Sequence, residues 1–166
     1  MPHGNPLVLG LIRVELRPIS PSDRPFLLRL FADLRRPAFL EIGWSGADLE
    51  VLLESQFTLQ SSAYASRYPD GEFLLVLEAG QPIGRLYLAR LPDELRVVDL
   101  ALVEPARGRG IGTHLLQWVC RRADAERRLV RFYVEVRNRA QRLYERMGFR
   151  PVAEEGPYRL LERPLS

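Results

Sequence analysis

The sequence predicts a mixed α+β fold with a mostly antiparallel sheet of about six or seven strands and about four helices. Two observations support this prediction. Apolar runs of strand length, separated by short turns, predict an antiparallel meander at residues 72–79, 82–91 and 95–103. A helical pattern at 110–127 then leads to a further apolar run at 129–136, and a connection through a helix makes these last two strands parallel.

Periodicity and capping residues predict the remaining elements. Ser20 is a good N-cap for a helix that starts at Pro21, and Pro37 is expected to stop that helix. The other predicted elements are a strand at 12–17, helices at 21–34, 46–66 and 138–147, and a closing hairpin of strands at 149–153 and 158–163.

Length and composition fit one globular domain over residues 12–166, preceded by a disordered or loosely attached segment over residues 1–11. The formal net charge is +3, and every basic residue is an arginine. A single cysteine, Cys120, excludes an internal disulfide, and no signal peptide is recognisable, so we expect a cytoplasmic protein. Two histidines cannot form a multi-histidine metal site, and we expect no metal.

Nucleic-acid and membrane binding are not favoured. The arginines between residues 121 and 131 alternate with Asp124 and Glu126, which is typical of a solvated helix face rather than a nucleic-acid-binding stripe. The apolar run at residues 7–11 is far too short to span a bilayer.

The most informative segment is the junction between the predicted strand 95–103 and the predicted helix 110–127. We call residues 107–113 the cradle. Helix N-termini offer unpaired N–H groups and the positive end of the helix dipole. Gly108, Gly110 and Gly112 allow close backbone approach, and Arg107 and Arg109 add charges that suit phosphate. The cradle therefore predicts a site for a phosphate or diphosphate.

Two common nucleotide motifs do not fit this junction. A P-loop ends in Gly-Lys-Ser or Gly-Lys-Thr, but the chain contains no lysine. The dinucleotide fingerprint spaces its glycines as Gly-x-Gly-x-x-Gly, whereas Gly108, Gly110 and Gly112 alternate.

Residues 107–112 resemble the Arg/Gln-x-x-Gly-x-Gly signature of the GNAT superfamily of acyl-CoA-dependent N-acetyltransferases. Residues 138–149 are similar to a second block of that family, Asn…Ala-x-x-Leu-Tyr-x-x-x-Gly-Phe. The two blocks stand in the family's order and separation. The resemblance implies a three-layer α/β/α fold whose parallel strand pair splays apart, with acetyl-CoA as the acyl donor.

The resemblance also implies a set of coenzyme contacts. Tyr144 stands where the family places its general acid. Backbone of the strand before the cradle is expected to pair with the pantetheine, and the cradle to hold the diphosphate. The implied coenzyme-binding residues are Leu100, Ala101, Leu102, Val103, Arg107, Gly108, Arg109, Gly110, Ile111, Gly112, Thr113, Asn138 and Tyr144.

The general base and the acceptor site have several candidates. Asp99 on the central strand is the first candidate for the base, with Glu135 and Glu41 as competitors and a water relay as a further alternative. The apolar stretch after the first helix suggests a substrate wall formed by Phe39, Glu41 and Trp44, although core packing is an equal alternative for the two aromatic residues.

The function implied is transfer of an acetyl or acyl group to a primary amine of a small molecule or peptide. The alternative is a non-catalytic acyl-CoA sensor or partner-binding module. The sequence leaves the acceptor, the acyl chain and the oligomeric state open, a homodimer being one option.

Overall fold

The computed structural model describes residues 6–9 and 12–166. In these residues the strands are β1 (Pro6–Leu9), β2 (Ile12–Pro18), β3 (Glu72–Glu78), β4 (Gln81–Arg90), β5 (Glu94–Leu102), β6 (Leu129–Glu135), β7 (Arg150–Glu155) and β8 (Tyr158–Arg163). The α-helices are α1 (Arg24–Glu41), α2 (Gly46–Arg67), α3 (Ile111–Glu126) and α4 (Gln141–Arg146).

The strands form one sheet in the order β1-β2-β3-β4-β5-β6-β8-β7. Neighbours pair antiparallel except β5 and β6, which are parallel, so the predicted fold class is confirmed. The sequence predicts no strand within residues 1–11, whereas Pro6–Leu9 pairs with β2 and adds an eighth strand. The rest of that segment, residues 1–5, 10 and 11, lies outside the described residues.

Helices cover both faces of the sheet, and β3 shows why. Successive side chains of a strand point to opposite faces of the sheet, so the apolar residues of β3 contribute alternately to two cores. Leu74 and Val76 join the core beneath α3, whereas Leu75 and Leu77 pack against α1 and α2. A continuous apolar strand is therefore buried on both faces, and the result is a three-layer arrangement.

Helix α1 is longer than the sequence predicts. It continues through Pro37 to Glu41, although proline removes one helical hydrogen bond, the one that the Asp33 carbonyl would accept. The last turn is retained because Phe39 packs against a small core of Ala32 on α1 and Leu49 and Leu53 on α2. Tertiary packing thus outweighs the local stop signal. Across the described residues, no helix is both long enough and apolar enough to cross a bilayer.

Candidate active site

A cleft opens where β5 and β6 separate. The two strands pair only where residues 94–96 face residues 129–131. Beyond that pairing they diverge and leave a cleft of about 850 Å³. Its lining comes from the divergent parts of both strands, from the cradle and from α4. The cleft therefore connects the glycine-rich junction with Tyr144.

Backbone groups of β5 form one wall of this cleft. The Val103 N–H donates to the Ile83 carbonyl on β4 at 2.9 Å. Alternate residues of a strand direct their backbone groups to opposite sides, so Ala101 also faces β4. Leu100 and Leu102 then direct their N–H and C=O groups towards the cleft. Of the four residues predicted to contact pantetheine, Leu100 and Leu102 direct their backbone groups towards the cleft, whereas Ala101 and Val103 direct theirs towards β4.

The cradle presents unpaired N–H groups. The Arg107 N–H donates to the Glu104 carbonyl at 3.1 Å, but in the described part of the chain no acceptor bonds the N–H groups of residues 108–113. Gly110 is the N-cap of α3, with φ of +82°. The first-turn N–H groups of a helix lack an intrahelical partner and carry the positive end of its dipole. These donors lie where the sequence predicts an anion.

Gly112 leaves room for a ligand without being needed by the fold. Its φ is outside the left-handed region, and a Cβ built on it would meet only the Leu102 side chain, at 3.9 Å. The missing Cβ therefore keeps the first turn of α3 open to close approach from the cleft. This space and the unpaired N–H groups fit the diphosphate of coenzyme A.

The two cradle arginines have different roles. Arg107 lines the cleft and donates from Nε to the Leu102 carbonyl at 2.9 Å. Arg109, predicted to face phosphate, instead directs its guanidinium to Glu78 at the end of β3, at 2.9 and 2.6 Å. That is a correction to the expected role of the Arg109 side chain. Sequence spacing could not reveal it because Glu78 is distant in the chain.

Tyr144 lies at the other end of the cleft on α4. Its ring meets Phe132 of β6 edge-on, with centroids 5.1 Å apart. Burial raises the pKa of Tyr144, and the Asn138 side chain acts in the opposite direction and less strongly. The Asn138 Oδ1 accepts the Ala140 N–H at 2.8 Å, which forms the turn before α4. That turn explains why the helix is shorter than predicted, starting at Gln141.

The sequence comparisons agree with this geometry. The model of the acetyltransferase (GNAT) family matches residues 29–149. The chain belongs to the GNAT acetyltransferase family. Members of this family carry out acetyl-CoA-dependent acyl transfer. Among curated protein sequences, none matches this acetyltransferase.

Solved structures share the fold of this GNAT protein. An acetyltransferase from Thermus thermophilus is 27% identical, with a TM-score of 0.64 over 92% of this chain and 97% of that chain. PaiA N-acetyltransferase from Thermoplasma acidophilum, in complex with coenzyme A, is 18% identical, with a TM-score of 0.67 over 91% and 98%. Arabidopsis thaliana Naa50, in complex with the bisubstrate analogue CoA-Ac-MVNAL, is 18% identical, with a TM-score of 0.61 over 92% and 99%.

Asp99 of this GNAT acetyltransferase lines the cleft and is held by two neighbours, Arg85 and Tyr64. Its Oδ2 accepts from Arg85 at 2.6 Å and from the Tyr64 hydroxyl at 3.3 Å. Arg85 also bonds Gln60 on α2 at 3.1 Å. Burial, followed by the Asp99 charge, raises the pKa of Tyr64. The carboxylate is therefore fixed in orientation, and its second oxygen has no partner among the described side chains.

The other predicted acids and aromatic residues divide into two groups. Glu135 ends β6 and lines the cleft. Glu41 is exposed in the last turn of α1, and Trp44 is partly exposed just after it. Phe39 packs between α1 and α2, as described above. The structure does not bring Glu41, Trp44 or Phe39 into the cleft.

Two residues that line the cleft of the acetyltransferase, and one behind it, were not predicted as site residues from the sequence. Tyr133 and Tyr158 line the side opposite Tyr144, and both are exposed. Arg85, buried in β4, fixes Asp99. The sequence of β6 does predict that Tyr133 and Glu135 share one face of the strand, because they alternate with Phe132 and Val134. Only the order of strands in the sheet shows that the face with Tyr133 and Glu135 borders the cleft.

Proposed function

We propose that this acetyltransferase transfers an acetyl group from acetyl-CoA to a primary amine of a small molecule or peptide, by direct attack with Tyr144 as general acid. The observation that carries the proposal is that one cleft joins the unpaired N–H groups of residues 108–113 to the Tyr144 ring. One end suits a diphosphate, and the other suits a leaving thiolate.

The donor is expected to lie along β5. The cradle N–H groups and the outer nitrogens of Arg107 hold the diphosphate. The pantetheine amides pair with Leu100 and Leu102 as an added strand would. The Leu102 carbonyl already accepts from Arg107, but a carbonyl oxygen has two lone pairs and can take a second donor. The Leu102 N–H then polarises the thioester carbonyl.

Acetyl transfer needs proton movements at both the nitrogen and the sulfur. The ammonium group of the acceptor must lose a proton so that its nitrogen lone pair can attack the thioester carbon, and Asp99, directly or through water, takes that proton. The C–N bond forms, the C–S bond breaks, and Tyr144 gives its proton to the departing sulfur. The second proton that the new amide nitrogen loses passes through water to the Tyr144 phenolate and restores the phenol. Burial raises the pKa of Tyr144, so the phenol is neutral and able to donate at physiological pH.

Direct attack is favoured over an acyl-enzyme on cysteine. The chain's one thiol, Cys120, is buried in α3, and burial raises its pKa to about 11. The complexes of PaiA with coenzyme A and of Naa50 with a CoA–peptide analogue support a cleft that holds donor and acceptor together.

A thiol-release assay with acetyl-CoA and a panel of amines tests the proposal. Tyr144→Phe is expected to lower kcat by about 10²-fold, the usual scale of general acid catalysis, with coenzyme affinity little changed. Tyr68→Phe, the same change at the end of α2 and outside the cleft, is the matched control. An unchanged kcat for Tyr144→Phe would remove the acid role. Coenzyme binding without turnover of any amine would favour the non-catalytic sensor.

A further inference from the structure

The two faces of β6 border different halves of the cleft. Phe132 packs against Tyr144 and Phe149 on the α3–α4 side of the sheet. Side chains of a strand alternate, so Tyr133 and Glu135 lie on the opposite face. The Arg96 guanidinium lies over the Tyr133 ring on that face, 5.6 Å from its centroid. In the proposed reaction the donor occupies the Tyr144 side, which leaves the Tyr133 side for the acceptor.

On the face of the sheet that carries Tyr133, one tyrosine lies between two carboxylates, each at the end of a different strand. Tyr158 of β8 stands directly opposite Glu135 of β6 and directly opposite Glu155 of β7. We call these three residues the acceptor row. Directly opposed residues project from the same face of a sheet, and two strand spacings set the two acids roughly 10 Å apart at the backbone. The Tyr133 hydroxyl donates to Glu155 at 3.1 Å, which places that carboxylate on the same face.

The two carboxylates of the acceptor row form no ion pair in residues 12–166, unlike the carboxylate in the row further along the same strands. There, Glu162 of β8 lies between Arg131 of β6, at 2.7 Å, and Arg150 of β7, at 3.6 Å. Within residues 12–166 no arginine or histidine pairs with Glu135 or Glu155, and no cation covers the Tyr158 ring. Tyr158 is 47% exposed. Carboxylates without an ion-pair partner beside an exposed aromatic ring form a favourable place for a cation.

We infer that the acceptor is an aliphatic amine with a second cationic group, which binds over Tyr158 between Glu135 and Glu155 while the first nitrogen is acetylated. The inference rests on the proposed function, because it needs an amine acceptor in this cleft. Tyr133, Glu135 and Tyr158 line the cleft itself, so the second cation remains attached to a chain that reaches the thioester. An acceptor ending in a carboxylate would instead be repelled.

Three amines of equal chain length test the charge preference directly. A thiol-release assay compares n-alkylamines, α,ω-diamines and ω-amino acids of about three to eight carbons, because the chain must reach from the acceptor row to the thioester carbon. The diamine is expected to exceed the matched monoamine in kcat/KM by about tenfold at its best length, since a cation–π contact and an ion pair together supply about that factor. The ω-amino acid is expected to be the poorest of the three. The diamine advantage should shrink with added salt.

Isosteric and truncating variants locate the preference on the acceptor row. Glu155→Gln and Tyr158→Ala are each expected to reduce the diamine-to-monoamine ratio about threefold to fivefold without raising the KM for acetyl-CoA. Glu154→Gln is the matched control, because Glu154 is the preceding residue of β7, faces the other side and pairs with Arg159 at 2.7 Å.

The outcomes separate this inference from the proposed function. Good turnover with equal kcat/KM for diamine and monoamine, or a ratio unchanged by both row variants, would overturn the inference and leave the acetyltransferase assignment intact. No thiol release with any amine would overturn the proposed function.

Discussion

Arg109 donates two hydrogen bonds to Glu78, from Nη1 at 2.9 Å and from Nη2 at 2.6 Å, and so ties the cradle to the end of β3. Bidentate pairs of this kind restrict geometry as well as attract. The tie holds the loop between Gly108 and Gly110, both of which have positive φ. A loop with two such flexible positions needs an anchor if its N–H groups are to point in one direction.

Glu78→Gln is therefore expected to weaken coenzyme binding without slowing chemistry. Loss of the Arg109–Glu78 ion pair allows the backbone N–H groups of the cradle to disorder. The KM for acetyl-CoA should therefore rise about threefold to tenfold, while kcat changes little. Steady-state kinetics measures both. Glu15→Gln, an exposed change on the adjacent strand β2, is the matched control. Restoration by the charge-swapped pair Glu78→Arg with Arg109→Glu would support the tie, whereas an unchanged KM would refute it.

Gly112→Ala is expected to stabilise the protein and to lower its affinity for coenzyme A. Alanine in place of glycine inside a helix gains about 0.5–1 kcal/mol, and the new Cβ finds only an ordinary contact with Leu102 at 3.9 Å. The same Cβ intrudes where a diphosphate approaches the first turn of α3. Loss of one hydrogen bond to a charged phosphate oxygen costs about 1.5–3 kcal/mol of binding free energy, which raises the Kd for coenzyme A about tenfold or more.

Stability and coenzyme affinity are both measured on Gly112→Ala, because the two quantities are expected to change in opposite directions. Thermal unfolding reports the gain in stability, and calorimetric titration with coenzyme A reports the loss of affinity. Affinity equal to that of the unsubstituted protein would show that the ligand does not approach Gly112. A lower unfolding temperature would show that the glycine serves the fold instead.

Local signals predicted the strand–cradle–helix junction well. The apolar strand, the alternating glycines and the start of α3 are contiguous in the chain, so their meaning does not depend on distant partners. The short block around Asn138 and Tyr144 is similarly local, because Asn138 caps its own turn through Ala140.

Features that depend on long-range pairing could not be predicted. Which residues of β5 face the cleft depends on the hydrogen bond from Val103 to Ile83 of β4. The role of Arg109 depends on Glu78, which lies on β3, two strands away from β5 in the sheet. Helix α1 passes Pro37 because Phe39 finds a core on α2. In each case tertiary structure selects among options that the local sequence allows.

The pH dependence of kcat offers a test of the Tyr144 assignment. Burial raises the pKa of Tyr144 above its ordinary value of 10.0, and a general acid works only while protonated. The contribution of Tyr144 is therefore present at all lower pH values and is lost as pH rises through that raised pKa. With saturating acceptor, kcat should show no loss from this group below about pH 10. Tyr144→Phe should lack the alkaline fall, and a fall near neutral pH that Tyr144→Phe abolishes would contradict the assignment.

Asp23 is expected to make stability depend on pH in the acid range. The side chain is 7% exposed and accepts from Arg17 at 2.8 Å on each oxygen and from the Ser20 N–H at 2.7 Å. The Arg17 hydrogen bonds lower the pKa of Asp23 to about 2 from 3.8. Because the folded pKa is the lower one, the stabilisation is present above about pH 4 and is lost as pH falls towards about 2.

The size of the effect follows from the shift, at about 2 kcal/mol. Asp23→Asn should lose about that free energy of unfolding at about pH 7, and its stability should fall less steeply than that of the unsubstituted protein between about pH 4 and about pH 2. Urea unfolding at a series of pH values measures both. Asp48→Asn, an exposed change in the first turn of α2, is the matched control. Parallel curves of stability against pH for Asp23→Asn and the unsubstituted protein would show that folding does not stabilise the charged form of Asp23.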